Sequence, residues 1–267
     1  NSFTLVKNGS VTSPKGFIAG ATYCGIKTAG EDKLDLGILV SELPATAAGT
    51  FTNNKLVSPS VTLSKKHVAN GSARVIIANS GCANCSVGTQ GMSDAEEMTK
   101  LAAEHVGVTS DQVLVCSTGL IGVELPMALV RQNIQNISLS NDGGSQFARS
   151  IMTTDTRSKK IAISVEMSGY TVIVGGVAKG VGMIHPNMAT MLSFISTDAA
   201  IEKNFLDSAL KQAVDISFNM IDVDGDQSTN DSVLVLSNGA AGGDEISVGS
   251  ADAEKFQAAL NYVCTYL

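Results

Sequence analysis

No stretch of the 267 residues carries more than two adjacent Lys or Arg, and the net charge is −7. That argues against nucleic acid or an anionic membrane as a partner, since both need a basic patch. Nor does any apolar run reach the roughly 20 residues of a membrane span. Tryptophan is missing, aromatics are 4% and charged residues only 16%, yet 44% of the chain is apolar. Such a chain buries a sizeable core and is not disordered. Five cysteines are an odd number in a chain this long, which needs no disulfides. They read as reduced thiols and place the protein in the cytoplasm. Cys82-Ala83-Asn84-Cys85 is a CxxC without a second CxxC or CxxH to complete a zinc site, and without a thioredoxin-like βαβ setting. Asp222, Asp224, Asp226 and Asp231 are dense, but Gly225 falls fourth from Asp222 and Val233 twelfth, so an EF-hand is ruled out. They read as a solvated acidic turn, with the amine end of a substrate as the alternative ligand. No metal and no cofactor is expected.

What the chain has in quantity is glycine, 26 residues of it, spaced as turns between short apolar runs. Strands are expected at 34–43 and 46–52, joined across Pro44, and at 72–81, 111–119 and 232–238. Residues 160–167 and 171–178 form an antiparallel hairpin. Ser93-Asp94-Ala95-Glu96 reads as a capping box opening a helix with Met98, Leu101, Ala102, His105 and Val106 as its stripe and Gly107 as its stop. Pro126 opens a short helix, and 145–152 form another. Thr197-Asp198 caps a helix over 201–216, with Phe205, Leu206, Leu210, Ala213 and Val214 inward. Phe256, Ala259, Leu260, Val263 and Leu267 keep helical spacing to the last residue, which suggests that the natural chain continues. The composition suits an α/β (α+β) fold class with many tight turns.

The chemistry centres on 177–196, VAKGVGMIHPNMATMLSFIS. A small residue followed by Thr, between a Gly-rich turn and a buried strand, is where a chain can cut itself. The Thr190 hydroxyl attacks the Ala189 carbonyl, the amide becomes an ester, and water releases a chain starting at Thr190. The free α-amine, with a reference pKa of about 7.7, then serves as general base for the hydroxyl of its own residue. On these residues alone, a Gly-rich loop entering a core strand is the commoner arrangement.

KGVGMIHPNMATML closely resembles the signature of the ornithine acetyltransferase (glutamate N-acetyltransferase) family. NSGCANCSVG (79–88), STGLIG (117–122), MTTDT (152–156), STDAAI (196–201) and SFNMIDVDGDQSTND (217–231) resemble further family blocks in family order. The resemblance implies a self-cleaving enzyme with layered mixed sheets and flanking helices in an N-terminal-nucleophile-like architecture, cut between Ala189 and Thr190 into fragments 1–189 and 190–267. Thr190 takes an acetyl group from N2-acetylornithine and passes it to L-glutamate by a ping-pong route. Some relatives also accept acetyl-CoA. Thr118 and Gly119 supply the oxyanion hole. Thr153, with Thr154 as the alternative, and Lys179 bind the amino-acid substrate with Thr190. The α and β fragments pair as a heterotetramer. Cys82 departs from the family's Asn-Ala-Asn. Family members are about half as long again, so part of the substrate site is expected outside this chain. The rival readings are a self-cleaving aminopeptidase or amidohydrolase, with water as acceptor, and a non-catalytic relative.

Overall fold

The computed structural model describes residues 3–28, 33–182 and 191–267. In chain order the strands are β1 (Phe3–Leu5), β2 (Phe17–Thr22), β3 (Leu36–Ser41), β4 (Thr46–Phe51), β5 (Val75–Cys82), β6 (Val113–Leu120), β7 (Lys159–Glu166), β8 (Thr171–Lys179), β9 (Leu192–Thr197) and β10 (Ser232–Ser237). The helices are α1 (Pro59–Val68), α2 (Gln90–Val106), α3 (Met127–Asn133), α4 (Gly144–Ser150), α5 (Lys203–Asp215) and α6 (Ala253–Tyr266).

The strands form a six-stranded sheet, ordered β1-β7-β8-β9-β10-β4, and a four-stranded sheet, ordered β2-β3-β5-β6. Both are mixed: β9 and β10 run parallel, as do β5 and β6, and the other pairs are antiparallel. Most strands are apolar on both faces, so each sheet must be covered twice. Alternation assigns the faces. Leu39, Ile76 and Leu114 of the small sheet meet Phe194, Leu234 and Leu236 of the large one in a core between the sheets. Phe147 of α4 joins that core, its ring 5.4 Å from Phe194, a tilted pair worth about 0.5–1.5 kcal/mol beyond its buried area. The opposite residues, Ile38, Ile77 and Val115, face Met98 and Ala102 of α2 and Val130 of α3. On the far side, Val174, Ile195 and Val235 face Leu206 and Leu210 of α5 and Phe256 and Leu260 of α6. The result is a helix–sheet–sheet–helix stack.

The expected strands and the hairpin are present. Two helix starts differ. α2 begins at Gln90, a turn before the capping box, and Asp94 is buried inside the helix, where it accepts from Gln90 Nε2 at 2.8 Å. α5 begins at Lys203, capped by Glu202, whose carboxylate accepts from the Asn204 and Phe205 amides. Asp198 caps nothing: it accepts from the Lys15 and Ile173 amides at 3.0 and 2.7 Å, tying the chain start to β8. The strands on either side of Pro44 belong to different sheets.

Candidate active site

Three strand ends and one turn meet over a cavity of about 530 Å³ lined by Lys27, Gly81, Thr118, Gly119, Thr153, Thr154, Lys179 and Gly182, among others. Thr118 and Gly119 end β6, parallel and in register with Ser80 and Gly81 of β5. The two glycines are required. Gly119 has φ +137°, and a Cβ there would lie 2.3 Å from the Gly81 carbonyl carbon. Gly81 has φ +106°, and a Cβ there would lie 2.6 Å from Lys27 Cα. The backbone of 26–27 is thereby pressed onto the β5 end. It is held there by Asp35, fully buried, which accepts from the Cys24, Ile26 and Lys27 amides at 2.7, 2.7 and 3.1 Å.

Lys179 ends β8 and is 3% exposed. Its ammonium donates to Thr118 Oγ1 at 3.1 Å. An ammonium can only donate, so Thr118 uses a lone pair there and keeps its own hydroxyl proton for the cavity. Burial pulls Lys179 below the ordinary lysine range; Asp155 and Asp231 pull it back up, and Lys159 and Lys27 add to the lowering. Lys27 is half-buried, donates to the Leu34 carbonyl at 3.1 Å, and is likewise lowered by burial, with Asp35 opposing.

The turn after α4 brings in Thr153 and Thr154, both on the cavity wall. Asp155, its side chain fully buried, is the hub of this corner. It accepts from the Thr153 amide at 3.3 Å, the Gly180 amide at 2.9 Å and Lys159 Nζ at 2.5 Å. Burial raises its carboxyl, but the Gly180 amide, Lys159 and Lys179 together outweigh that and hold it below the usual carboxylate range. One carboxylate thus ties the Thr153 turn to the residue after Lys179.

Four of the residues singled out in the sequence, Thr118, Gly119, Thr153 and Lys179, therefore share one cavity. Ala189 and Thr190 lie outside the described residues, as do His185 and the rest of 183–190. The described chain reaches this corner from both sides: Gly182 lines the cavity, and the Met191 amide donates to Asp231 Oδ1 at 2.9 Å.

Asp231 corrects the reading of the acidic segment. Asp222, Asp224 and Asp226 are exposed, but Ser228, Thr229, Asn230 and Asp231 are buried and fasten the corner together. Asn230 Nδ2 donates to the Ala83 and Ser117 carbonyls at 2.6 and 2.9 Å. Burial pushes Asp231 up to about 8, against the opposing pull of the Met191 amide, Ser228 and Lys179. Asp35, Asp155 and Lys27 were also missed as site residues. For Asp155 the signal was available, an acid inside a Thr-rich turn. For the others nothing local marks them. Of the CxxC, Cys82 Sγ donates to the Val123 carbonyl at 3.2 Å, and both thiols are buried. No helix among the described residues is long and apolar enough to cross a membrane.

The arginine biosynthesis bifunctional protein ArgJ of Dehalococcoides mccartyi is 50% identical over 267 residues, which is 100% of this chain and 66% of that protein. The chain spans 64–66% of the length of the curated relatives it matches. The crystal structure of ornithine acetyltransferase complexed with ornithine from Mycobacterium tuberculosis superposes with a TM-score of 0.64 at 32% identity, covering 69% of this chain and 98% of that one. The L-aminopeptidase D-Ala-esterase/amidase of Ochrobactrum anthropi, described as a variant of the Ntn hydrolase fold, has a TM-score of 0.56 at 12% identity over 97% of this chain and 84% of its own; the likeness is one of fold alone. The ArgJ family model matches residues 18–267. With half its residues identical to one member over its whole length, and a family match running from residue 18 to its last, the chain belongs to the ArgJ family.

Proposed function

We propose that this chain carries the acetyl-transfer chemistry of a glutamate N-acetyltransferase in arginine biosynthesis, through a nucleophile at Thr190. The chain cleaves itself between Ala189 and Thr190, into fragments 1–189 and 190–267 of the chain described here, which stay associated and pair as a heterotetramer. The freed α-amine of Thr190 takes the proton of its own hydroxyl as the oxygen attacks the acetyl carbonyl of N2-acetylornithine. The tetrahedral oxyanion is met by the Thr118 hydroxyl and the Gly119 N–H. Collapse returns the proton to the departing amine of ornithine and leaves an acetyl ester on Thr190. Glutamate enters the same cavity and the sequence runs in reverse, giving N-acetylglutamate. Lys179, with Thr153 beside it, receives the substrate carboxylate.

The observation that carries this reading is the meeting of Thr118, Gly119, Thr153 and Lys179 on one cavity wall, with a hydroxyl proton of Thr118 left free by Lys179. The relatives named above, one in arginine biosynthesis and one an ornithine acetyltransferase holding ornithine, supply the substrate class. The test is ornithine release from N2-acetylornithine with and without glutamate. Release that requires glutamate and yields equal N-acetylglutamate supports transfer. Equal release without glutamate would mean a hydrolase, and no release at all a chain without this activity.

A further inference from the structure

Two lysines and, among the described residues, no carboxylate line the cavity. Lys179 has a task in the transfer set out above; Lys27 has none. Lys27 is half-buried, in a turn that is pinned in place. Asp35 accepts from its amide at 3.1 Å, and Gly81 of β5 lies so close that a Cβ there would meet Lys27 Cα at 2.6 Å. Gly81 pairs with Gly119 of β6. Lys27 therefore reaches the oxyanion pair from the Gly119 side, whereas Lys179 reaches it from the Thr118 side, through its bond to Oγ1. Each carries a positive charge, and Lys27 adds to the lowering of Lys179. Asp35 and Asp155 support Lys27 from behind the wall. Two like charges facing one cavity favour a ligand with an anionic group for each.

The Lys27 ammonium donates to the Leu34 carbonyl at 3.1 Å. An ammonium has three donors, and that carbonyl takes one. The four-carbon stem is flexible, so the charge can turn to a bound anion.

The two amino acids that exchange the acetyl group differ at one place. Both have an α-carboxylate beside the reacting amine. In glutamate the side-chain oxygens, and in ornithine the side-chain nitrogen, lie the same number of bonds from Cα. One position in the cavity thus meets a negative charge in one half-reaction and a positive charge in the other.

We propose that Lys27 is the specificity-determining cation for the acceptor: its ammonium binds the side-chain carboxylate of glutamate, while Lys179 holds the α-carboxylate common to both substrates. The assignment rests on the acetyl transfer proposed above. With ornithine in the cavity, Lys27 keeps the Leu34 carbonyl as its partner and repels the side-chain ammonium. With glutamate it gains a counter-charge. The acetyl group is thereby steered forward to glutamate and away from return to ornithine.

The test compares two acceptors on the full-length processed enzyme. The acetyl-enzyme is formed with N2-acetylornithine, separated from it, and its loss of the acetyl group is timed at graded concentrations of glutamate and of ornithine. Lys27→Met should lower the ratio of the glutamate to the ornithine rate constant by about 10–100-fold, the worth of one charge-assisted contact. Lys27→Arg should recover most of that ratio. A ratio within about threefold of wild type in the Met variant overturns the assignment. Should that variant fail to fold or cleave, the wild type decides, with glutamine as the neutral counterpart of glutamate. Preference for glutamate by about tenfold or more supports the assignment, and equal use of the two refutes it. A wild type that forms no acetyl-enzyme defeats the transfer reading and the assignment with it, which keeps that failure apart from one of Lys27 alone.

Discussion

Replacing Thr118 by Val removes one oxygen from the buried wall of the cavity and tests the oxyanion role directly. Thr118 is 4% exposed and its Oγ1 accepts from Lys179 at 3.1 Å. Its proton is not taken by Lys179, and the neighbouring ammonium polarises the hydroxyl, which strengthens it as a donor. Loss of one such donor costs about 2.7–4 kcal/mol of transition-state stabilisation, so kcat should fall by about 10²–10³. The fold should lose less. Lys179 is left without its acceptor, at about 1–3 kcal/mol, which lowers Tm by about 2–4 °C for each kcal/mol in a domain of this size. Thr118→Ser restores the hydroxyl and should recover most of both. The assay is steady-state ornithine release at saturating N2-acetylornithine and glutamate, with Tm by differential scanning fluorimetry. The reasoning fails if the Val variant keeps wild-type kcat, or if Ser is as slow as Val.

Three further outcomes are expected. Lys179→Met should raise KM for the amino-acid substrates by about 10–100-fold through loss of a charge-assisted contact, with kcat falling less. Its stability should fall, because the buried Asp155 carboxylate loses one of the two cations that hold it ionised; unaltered KM would remove Lys179 from substrate binding. Gly119→Ala places a Cβ 2.3 Å from the Gly81 carbonyl carbon at φ +137°, so strain and overpacking together should cost about 2–6 kcal/mol in urea unfolding. A variant as stable as wild type would contradict the strand-end geometry. Asp231, raised to about 8 in the fold and near 3.9 when unfolded, binds its proton more tightly in the native state. Its contribution to stability is therefore largest at low pH and is lost as pH rises between about 4 and about 8. Comparing urea midpoints of wild type and Asp231→Asn at both ends should show a steeper fall for wild type, and parallel curves would refute the burial argument.

Much of the layering was legible because strand faces are set by alternation that lies within one segment: Ile38 against Leu39, or Val233 against Leu234, already assigns opposite sides. The hairpin of β7 and β8 was legible for the same reason, since its pairing is local. Helix starts were less so. Ser93-Asp94-Ala95-Glu96 satisfies the capping pattern, but Asp94 instead meets Gln90 inside a helix that begins earlier. The cap Thr197-Asp198 was overridden by two distant amides that needed the same carboxylate. Sheet order was out of reach: β1 pairs with β7 and β4 with β10 across most of the chain. The same holds for the site. Thr118, Gly119, Thr153 and Lys179 stand out through motif resemblance, whereas Asp35, Asp155 and Asp231 matter because of which amides the fold delivers to them. A carboxylate's partners are a tertiary property, and a local window shows only that it is acidic.

The account stands on Thr190 being both the new chain start and the acetyl carrier. Intact-mass analysis before and after incubation with N2-acetylornithine, in the absence of glutamate, reads both at once. The prediction is a fragment beginning at Thr190 that gains a single acetyl group and loses it on addition of glutamate, while Thr190→Ala stays uncut and unlabelled. An uncut wild-type chain, or an acetyl group on any other residue of an active protein, would contradict it.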